Sequence, residues 1–248
     1  MNNYGSMAEV VEVFEEELRD AGATDTEISR LRAPGQILNP GYSWRLAQKS
    51  PEETAVKYLA KYRAERKASR RASCIEHGVP ELHLRAVYDV DPKETDAVLK
   101  TREWLKTAKT FLVLSGGLGT GKTAAAAWWA ASRATDSYFV TADELRVAFG
   151  FENFVSSEAE RMKKKLREST CLVIDDLGTE HQDSKGHFVA ELNALINHRY
   201  AAADVYTIIT TNLDAAAFKS MYSRIADRCR ECGTFVTIGG SSMRKASR

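Results

Sequence analysis

Residues 111–123 read Phe-Leu-Val-Leu-Ser-Gly-Gly-Leu-Gly-Thr-Gly-Lys-Thr, an apolar stretch that runs into a loop of closely spaced glycines. The fixed positions of the phosphate-binding pattern G-x-x-x-x-G-K-[ST] are filled by Gly116, Gly121, Lys122 and Thr123. An Ala-rich segment follows at 124–131, and it favours a helix whose positive N-terminal end would face the same anion. The sequence therefore predicts a strand, a phosphate-binding loop and a helix, in that order.

Each residue type in this loop has a part to play at a bound nucleotide. Glycines let the backbone N–H groups approach phosphate oxygens. We expect Lys122 to bind the outer phosphates and the Thr123 hydroxyl to ligate Mg²⁺. ATP and magnesium are therefore the predicted cofactors, and the predicted binding residues are Gly116, Gly117, Leu118, Gly119, Thr120, Gly121, Lys122, Thr123 and Ala124.

Composition restricts the class of protein further. The 248 residues are 44% apolar and 28% charged, as in ordinary globular proteins. The net charge of +1 supplies no overall field that would draw the chain to nucleic acid or membrane, so any basic surface must be local. The longest apolar run, near 124–131, is too short to cross a bilayer. We expect no membrane contact and a cytoplasmic location.

Two short patterns contain cysteines. Cys229-x-x-Cys232 could be half of a zinc site or a redox pair, and Cys74-x-x-His77 could be half of another zinc site. Zinc sites need four ligands, and neither pair has a second half at a usual spacing. The alternatives of a metal site and of isolated thiols stay open for both, with isolated thiols preferred.

The N-terminal third has the signals of helices. Capping patterns begin at Ser6, Thr24 and Ser50, and the last should open a helix that ends near Ser73. Residues 36–44 contain Pro-Gly and predict a loop. The basic stretch 61–71 indicates either a solvated helix face or a contact with nucleic acid.

Strands and helices alternate from residue 111 onward. A connection is predicted over 78–91, followed by a helix capped by residues 91–94. Alternating apolar strands and helices predict an α/β fold, a parallel sheet with helices on both faces, preceded by a smaller helical N-terminal domain. We place the helical, partner-binding region at 1–78 and the nucleotide-binding domain at 79–248. The predicted strands are 111–114, 137–140, 172–174, 205–210 and 234–238.

Two of these strands end in residues that suit a nucleotide site. Asp175 and Asp176 follow a buried strand, where carboxylates are costly unless they serve an ion. We predict that Asp175 binds Mg²⁺, directly or through water, and that Asp176 polarises the attacking water. Asn212 ends another apolar strand and is predicted to reach the γ-phosphate or its water.

Three strings in this order resemble a known family: 116–123 (Gly-Gly-Leu-Gly-Thr-Gly-Lys-Thr), 173–180 (Val-Ile-Asp-Asp-Leu-Gly-Thr-Glu) and 208–213 (Ile-Ile-Thr-Thr-Asn-Leu). They resemble the AAA+ ATPases of the DnaC/IstB group, which contains bacterial and phage helicase loaders and transposition helper ATPases. The resemblance covers about residues 80–248. It implies the AAA+ P-loop form of the α/β fold, with binding and hydrolysis of ATP.

The resemblance also implies roles for arginines near the end of the chain. Residues 223–228 are similar to the family's arginine-finger segment, so Arg228, or as second choice Arg224, would reach the nucleotide of a neighbouring subunit. Residues 240–244 are similar to the family's terminal G-x-S-x-R, whose arginine, here Arg244, would bind the γ-phosphate in its own subunit. Self-association through a trans arginine finger is therefore implied.

The partners are implied by the same resemblance. In the loaders and initiators that the chain resembles, an insertion near 151–170 lines a channel for single-stranded DNA, and basic residues in it suit phosphate contacts. The implied function is the loading of a DnaB-type replicative helicase. Alternatives are an IstB-like transposition helper that binds duplex DNA and a transposase, and a regulatory switch that binds ATP with little turnover. The basic residues are Arg161, Lys163, Lys164, Lys165 and Arg167.

Overall fold

The computed structural model describes residues 6–49, 55–88, 94–133, 136–150, 157–179, 186–240 and 242. The chain divides into two compact units, Met1–Ser69 and Arg70–Arg248. The division falls inside one long helix rather than in a linker. The functional assignment of the two parts stays a prediction.

The first unit is built from helices that share one apolar core. Their bounds are α1 Met7–Asp20, α2 Asp25–Leu31, α3 Pro40–Lys49 and the first part of α4 Ala55–Glu76. On α1 the buried residues Val10, Phe14 and Leu18 recur at helical spacing and pack with Leu31 and Leu59 from the neighbouring helices. Burial of these amphipathic faces holds the short helices together.

Local capping explains where the first helices begin. Ser6 accepts a hydrogen bond from the Glu9 backbone, and Thr24 forms a reciprocal capping box with Glu27, as predicted. The loop prediction for 36–44 is wrong in its second half, because α3 begins at Pro40. Proline favours the first position of a helix, where its missing N–H costs nothing. The Ser50 cap lies outside the described residues.

The second unit contains the sheet. Its strands are β1 Phe111–Gly116, β2 Ser137–Thr141, β3 Cys171–Leu177, β4 Tyr206–Thr211 and β5 Gly233–Ile238. Its helices after α4 are α5 Glu81–Tyr88, α6 Asp96–Trp104, α7 Lys122–Arg133, α8 Ala142–Phe149, α9 Ser157–Glu168, α10 His187–Ala201, α11 Ala215–Met221 and α12 Ser223–Cys232.

The strands form one sheet in the order β2-β3-β4-β1-β5, and every neighbouring pair is parallel. Successive residues of β1 enter different cores, because side chains of a strand alternate between faces. Leu112 and Leu114 pack with Trp129 of α7, whereas Val113 packs with Leu145 of α8. Helices therefore cover both faces, which confirms the predicted α/β fold with a parallel sheet.

Two local predictions in this unit need correction. The predicted connection 78–91 contains helix α5. The cap of α6 is Thr95, whose Oγ1 accepts from the Val98 N–H, and of the predicted cap 91–94 only Glu94 is described. In the stretch 151–170, for which no element was predicted, helix α9 begins at Ser157. Short helices such as these depend on tertiary packing more than on local propensity, so the sequence signal was weak.

Within the described residues, no helix combines the length and the apolar character needed to cross a lipid bilayer.

Candidate nucleotide-binding site

The loop between β1 and α7 has the backbone conformation that its glycines allow. Gly119 has a φ of +77°, in the left-handed region, and a Cβ there would collide with Ser242. Thr120 closes the loop, since its Oγ1 donates to the Gly117 carbonyl at 2.9 Å. The loop ends where Lys122 opens α7, so the positive N-terminal end of the helix faces the cleft.

Lys122 is the buried cation of this loop, with only 4% of its surface exposed. Its Nζ donates to the carbonyls of Gly116 and Gly117 at 2.8 and 2.9 Å, and to Asn212 Oδ1 at 2.9 Å. An ammonium has three donors, so these contacts use all of them. Because the acceptors belong to a loop and a side chain, phosphate oxygens can replace them when a nucleotide binds.

A bulge in β3 sets the positions of the paired carboxylates. Ile174 pairs with Ile209 of β4, but Leu177 pairs with Thr211, so β3 holds one extra residue over this interval. Asp176 lies within the bulge and has a φ of +55°, which is uncommon for any residue except glycine. Bulges re-aim side chains near active sites. The regular alternation of the strand is broken here, and Asp176 reaches the cleft.

Thr210 on the neighbouring strand holds both aspartates. Its Oγ1 donates to Asp175 Oδ1 at 2.6 Å and accepts from the Asp176 backbone N–H at 2.9 Å. Asp175 is 5% exposed, and burial raises its pKa from 3.8 to about 6. This pKa is a net result: burial is the largest cause and the Asp176 charge also raises it, whereas hydrogen bonds from Thr210 and Thr123 and the Lys122 charge lower it. A carboxylate in such surroundings is well suited to a bound cation.

The cleft formed by these elements has a volume of about 190 Å³. This is smaller than a site for a whole nucleotide and fits its phosphate end. The fit to Mg·ATP is good on three counts: the left-handed Gly119, the opening of α7, and a hydroxyl beside a carboxylate at Thr123 and Asp175. The described lining residues are His83, Leu118, Gly119, Thr120, Gly121, Lys122, Thr123, Ala124, Asp176 and Asn212.

The predicted arginines lie elsewhere. Arg224 is exposed on α12, and Arg228 on the same helix places its guanidinium 4.8 Å from the centre of the Tyr200 ring. Neither is among the described residues that line the cleft of this chain. Arg244 lies outside the described residues. Their roles therefore stay predictions, and those of Arg224 and Arg228 concern a neighbouring subunit.

The cysteine pairs are built into helices. Cys229 is buried on α12, where burial raises the pKa of its thiol to about 12, and the Cys232 thiol donates to the Arg228 carbonyl. Cys74 contacts the Tyr88 hydroxyl, and His77 Nδ1 lies 2.7 Å from the Ser73 carbonyl. Among the described residues, no three His, Cys, Asp or Glu side chains are grouped closely enough to hold a metal ion.

Sequence reasoning missed Thr210, His83 and Arg199. Thr210 sits in the run Thr-Ile-Ile-Thr-Thr, so its place before Asn212 was a usable signal. His83 has no motif around it. Arg199 is buried on α10 and donates to Thr207 Oγ1 and to the carbonyls of Leu166, Ser169, Thr170 and Tyr206.

The basic segment predicted to contact DNA is a helix. Lys164 and Lys165 are exposed on α9, and Lys165 lies over the Tyr138 ring at 5.6 Å. Ion pairs occur within the helix, such as Lys163 with Glu160 at 3.6 Å. Two aromatic residues at the start of the same stretch, Phe151 and Phe154, would suit base stacking and lie outside the described residues.

Comparison with known proteins agrees with this geometry. The chain resembles the crystal structure of DnaI at 23% identity and a TM-score of 0.52, over 65% of this chain and 95% of that one. It also resembles the DnaC helicase loader at 21% identity and a TM-score of 0.46, over 57% of this chain and 87% of that one. At such identities the DnaI likeness concerns the fold alone. No curated protein gives a significant sequence match.

The family profile named "IstB-like ATP binding protein" matches residues 27–248, which is most of the chain. This match confirms the resemblance inferred from the three sequence strings. Members of this AAA+ group generally bind and hydrolyse ATP. The chain belongs to the IstB-like ATP-binding protein family.

Proposed function

We propose that this protein binds Mg·ATP in the cleft at the carboxyl ends of β1, β3 and β4, hydrolyses it, and uses the cycle to load a DnaB-type helicase onto single-stranded DNA. The observation that carries the nucleotide part is the convergence of Lys122, Thr123, Asp176 and Asn212 at that edge, with Asp175 behind them. In doubly wound parallel sheets, ligands bind outside the carboxyl ends of the strands.

Each of these residues has a proposed part. Lys122 exchanges its loop carbonyls for the outer phosphates, and Thr123 with Asp175 would hold the magnesium ion, which supplies charge neutralisation at the phosphates when bound. Asp176, aimed into the cleft by the bulge, accepts the proton of the attacking water. Asn212 orients that water or the γ-phosphate from the end of β4.

A matched pair of substitutions tests this division of labour. Asp176→Asn should lower turnover by about 10²–10⁴-fold while ATP still binds, because only the proton acceptor is lost. Asp204→Asn is the control, since Asp204 also has a left-handed φ of 58° but is exposed and is not among the cleft residues. Equal turnover of Asp176→Asn and wild type, with ATP bound, would instead favour the switch that binds ATP with little turnover.

Self-association is part of the proposal, with Arg228 reaching the nucleotide of a neighbouring subunit. A mixing experiment tests it without the need for a structure of the assembly. Arg228→Ala and Asp176→Asn should each be inactive alone, and a mixture should regain activity because one supplies the finger and the other an intact site. If the mixture of the two variants were as inactive as each variant alone, Arg228 would not be the arginine finger. Arg224→Ala is the matched second choice.

The loading part is supported by the motif resemblance and by the helical unit 1–69, which has its own core and to which we assign the contact with the helicase. Contact with single-stranded DNA is assigned to the exposed basic side chains of α9. A cytoplasmic location belongs to the same proposal, since the helicase and its DNA are there.

A transposition helper is the second candidate. The observation that favours it is the family match itself, which begins at residue 27 and so includes much of the first unit as well as the second. Such a helper would bind duplex DNA and a transposase.

The deciding experiment mixes the purified protein with the host replicative helicase in ATP and in ADP, and measures the mass by light scattering. A stable complex that depends on the nucleotide supports the loader. No complex in either state, with assembly on duplex DNA, supports the transposition helper.

A further inference from the structure

Helix α5, which carries none of the motifs quoted from the sequence, forms part of the wall of the phosphate cleft. His83 lies on α5, upstream of β1, and lines the same cleft as Lys122, Asp176 and Asn212. Its imidazole is half-buried. The exposed neighbour Leu82, with 74% of its surface accessible, is not among the residues of the cleft. The helix thus presents a single polar ring to the site.

The start of α5 is fixed to the edge of the sheet. The Phe139 N–H of β2 donates to the His77 carbonyl at 2.9 Å. Gly78 follows with a φ of +86°, and a Cβ there would collide with the Phe139 carbonyl. Only glycine allows so close an approach of the two backbones. The chain therefore enters α5 from a defined position.

The rest of α5 is fixed to α7, the helix that follows the phosphate loop. Val79 and Leu84 are buried in the same core as the alanines of α7. At the far end, the Tyr88 hydroxyl donates to the Ala131 carbonyl at 3.4 Å. Because α5 is held at both ends, the place of His83 beside the opening of α7 is set by the fold, not by a freely moving loop.

We infer that His83 is a nucleotide-contact residue, a part of the site that lies outside the three sequence strings quoted above. An imidazole offers an N–H donor for a phosphate or ribose oxygen and a ring for contact with a base. The phosphate oxygens are the nearer candidates, since the cleft it lines also holds Lys122 and the loop. The inference rests on the proposed ATP site and adds to it a residue that tunes affinity.

The test compares His83→Ala with the matched control Leu82→Ala on the neighbouring position. Binding of ATP, of ADP and of inorganic tripolyphosphate is measured by calorimetry. We expect His83→Ala to weaken ATP binding roughly tenfold, as for the loss of one hydrogen bond to a charged group, and Leu82→Ala to leave it unchanged. The ATPase kinetics of the same variants are measured as well, and the KM of His83→Ala for ATP should rise by a larger factor than its kcat falls.

The possible results distinguish an error in the role of His83 from an error in the proposed ATP site. Weaker binding of ATP and tripolyphosphate together places the imidazole at the phosphates, and weaker binding of ATP alone places it at the adenosine; either supports the contact. Wild-type affinity of His83→Ala for ATP, with Lys122→Ala losing binding in the same assay, overturns it. Failure of wild type to bind ATP would reject the ATP site itself. If the alanine variant does not fold, His83→Leu serves instead, since leucine also lacks an N–H donor.

Discussion

Lys122 and Arg199 are buried cations that lie at opposite ends of the strands of the sheet. Lys122 is 4% exposed at the carboxyl ends of the strands, and Arg199 is 1% exposed near the amino ends of β3 and β4. Both are fully occupied by hydrogen bonds, and neither contacts a carboxylate in those bonds. By burial alone they are the same kind of residue, yet only Lys122 is placed to meet a ligand.

The difference lies in what surrounds each cation. Lys122 is held by loop carbonyls and one amide side chain, all beside a cleft, so a ligand can take their place. Arg199 joins the end of α9 to the start of β4 through carbonyls inside the fold, and burial lowers its pKa to about 10. A buried charge is therefore a sign of function only where its acceptors can be exchanged.

Removing Arg199 gives the largest expected effect on stability. Arg199→Met removes the guanidinium donors from buried carbonyls such as those of Leu166 and Ser169, and we expect a loss of about 3–5 kcal/mol in the free energy of unfolding. Arg199→Lys should lose less, since it keeps the charge but not the planar fork. Urea unfolding measures both. A loss below 1 kcal/mol, on the order of a surface change, would contradict the structural role.

Substitution of Lys122 should have the opposite effect to that of Arg199: Lys122→Ala should change ATP binding rather than stability. ATP binding should be lost, while stability without nucleotide stays within about 1 kcal/mol of wild type, because water can reach the loop carbonyls. Wild type should gain stability as ATP is added and the variant should not, because only a bound ligand stabilises the folded state. Thermal unfolding with and without ATP measures this. A variant that still gains stability from ATP would break the comparison.

The cleft edge should also show a pH dependence. Burial raises the Asp175 pKa from 3.8 to about 6, so the folded chain binds more protons between these values and wild type loses stability as pH rises through them. Asp175→Asn should therefore be more stable than wild type at pH 7, by up to about 3 kcal/mol without nucleotide, and equal to it below pH 4. Urea unfolding from pH 4 to 8 tests this, with exposed Asp143→Asn as control. If the difference in unfolding free energy between Asp175→Asn and wild type did not change with pH, the raised pKa of Asp175 would be contradicted.

The smallest effects come from trimming one side-chain acceptor at each cation. Thr207→Val removes the acceptor of Arg199 Nε and should cost about 1–2 kcal/mol of stability with ATP binding unchanged. Asn212→Ala removes the acceptor of Lys122 and should lower turnover about tenfold or more with little change in stability. Unfolding curves and ATPase rates on both variants decide the matter. If both variants lost stability, or if both lost turnover, the distinction between a structural Arg199 and a ligand-binding Lys122 would be wrong.

Much of the fold was readable from the sequence because its signals are local. The strands β1 and β3 are apolar runs, the glycine-rich loop has a fixed spacing, and Thr24 with Glu27 forms a capping box where a capping pattern was predicted. Helices α5 and α9 were not readable, since short helices depend on packing. The functional assignment of Arg228 came from resemblance alone, because the contact it predicts is with the nucleotide of a neighbouring subunit.

The sequence by itself determined the chemistry of the site: a lysine, a hydroxyl and paired carboxylates at strand ends that a parallel sheet brings to one edge. Only the tertiary structure decided how they are aimed. Adjacent residues of a strand point to opposite faces, and the bulge that breaks this rule at Asp176 arises from pairing with β4. Likewise, His83 reaches the cleft through packing of α5 on α7, a contact between distant segments that no local pattern encodes.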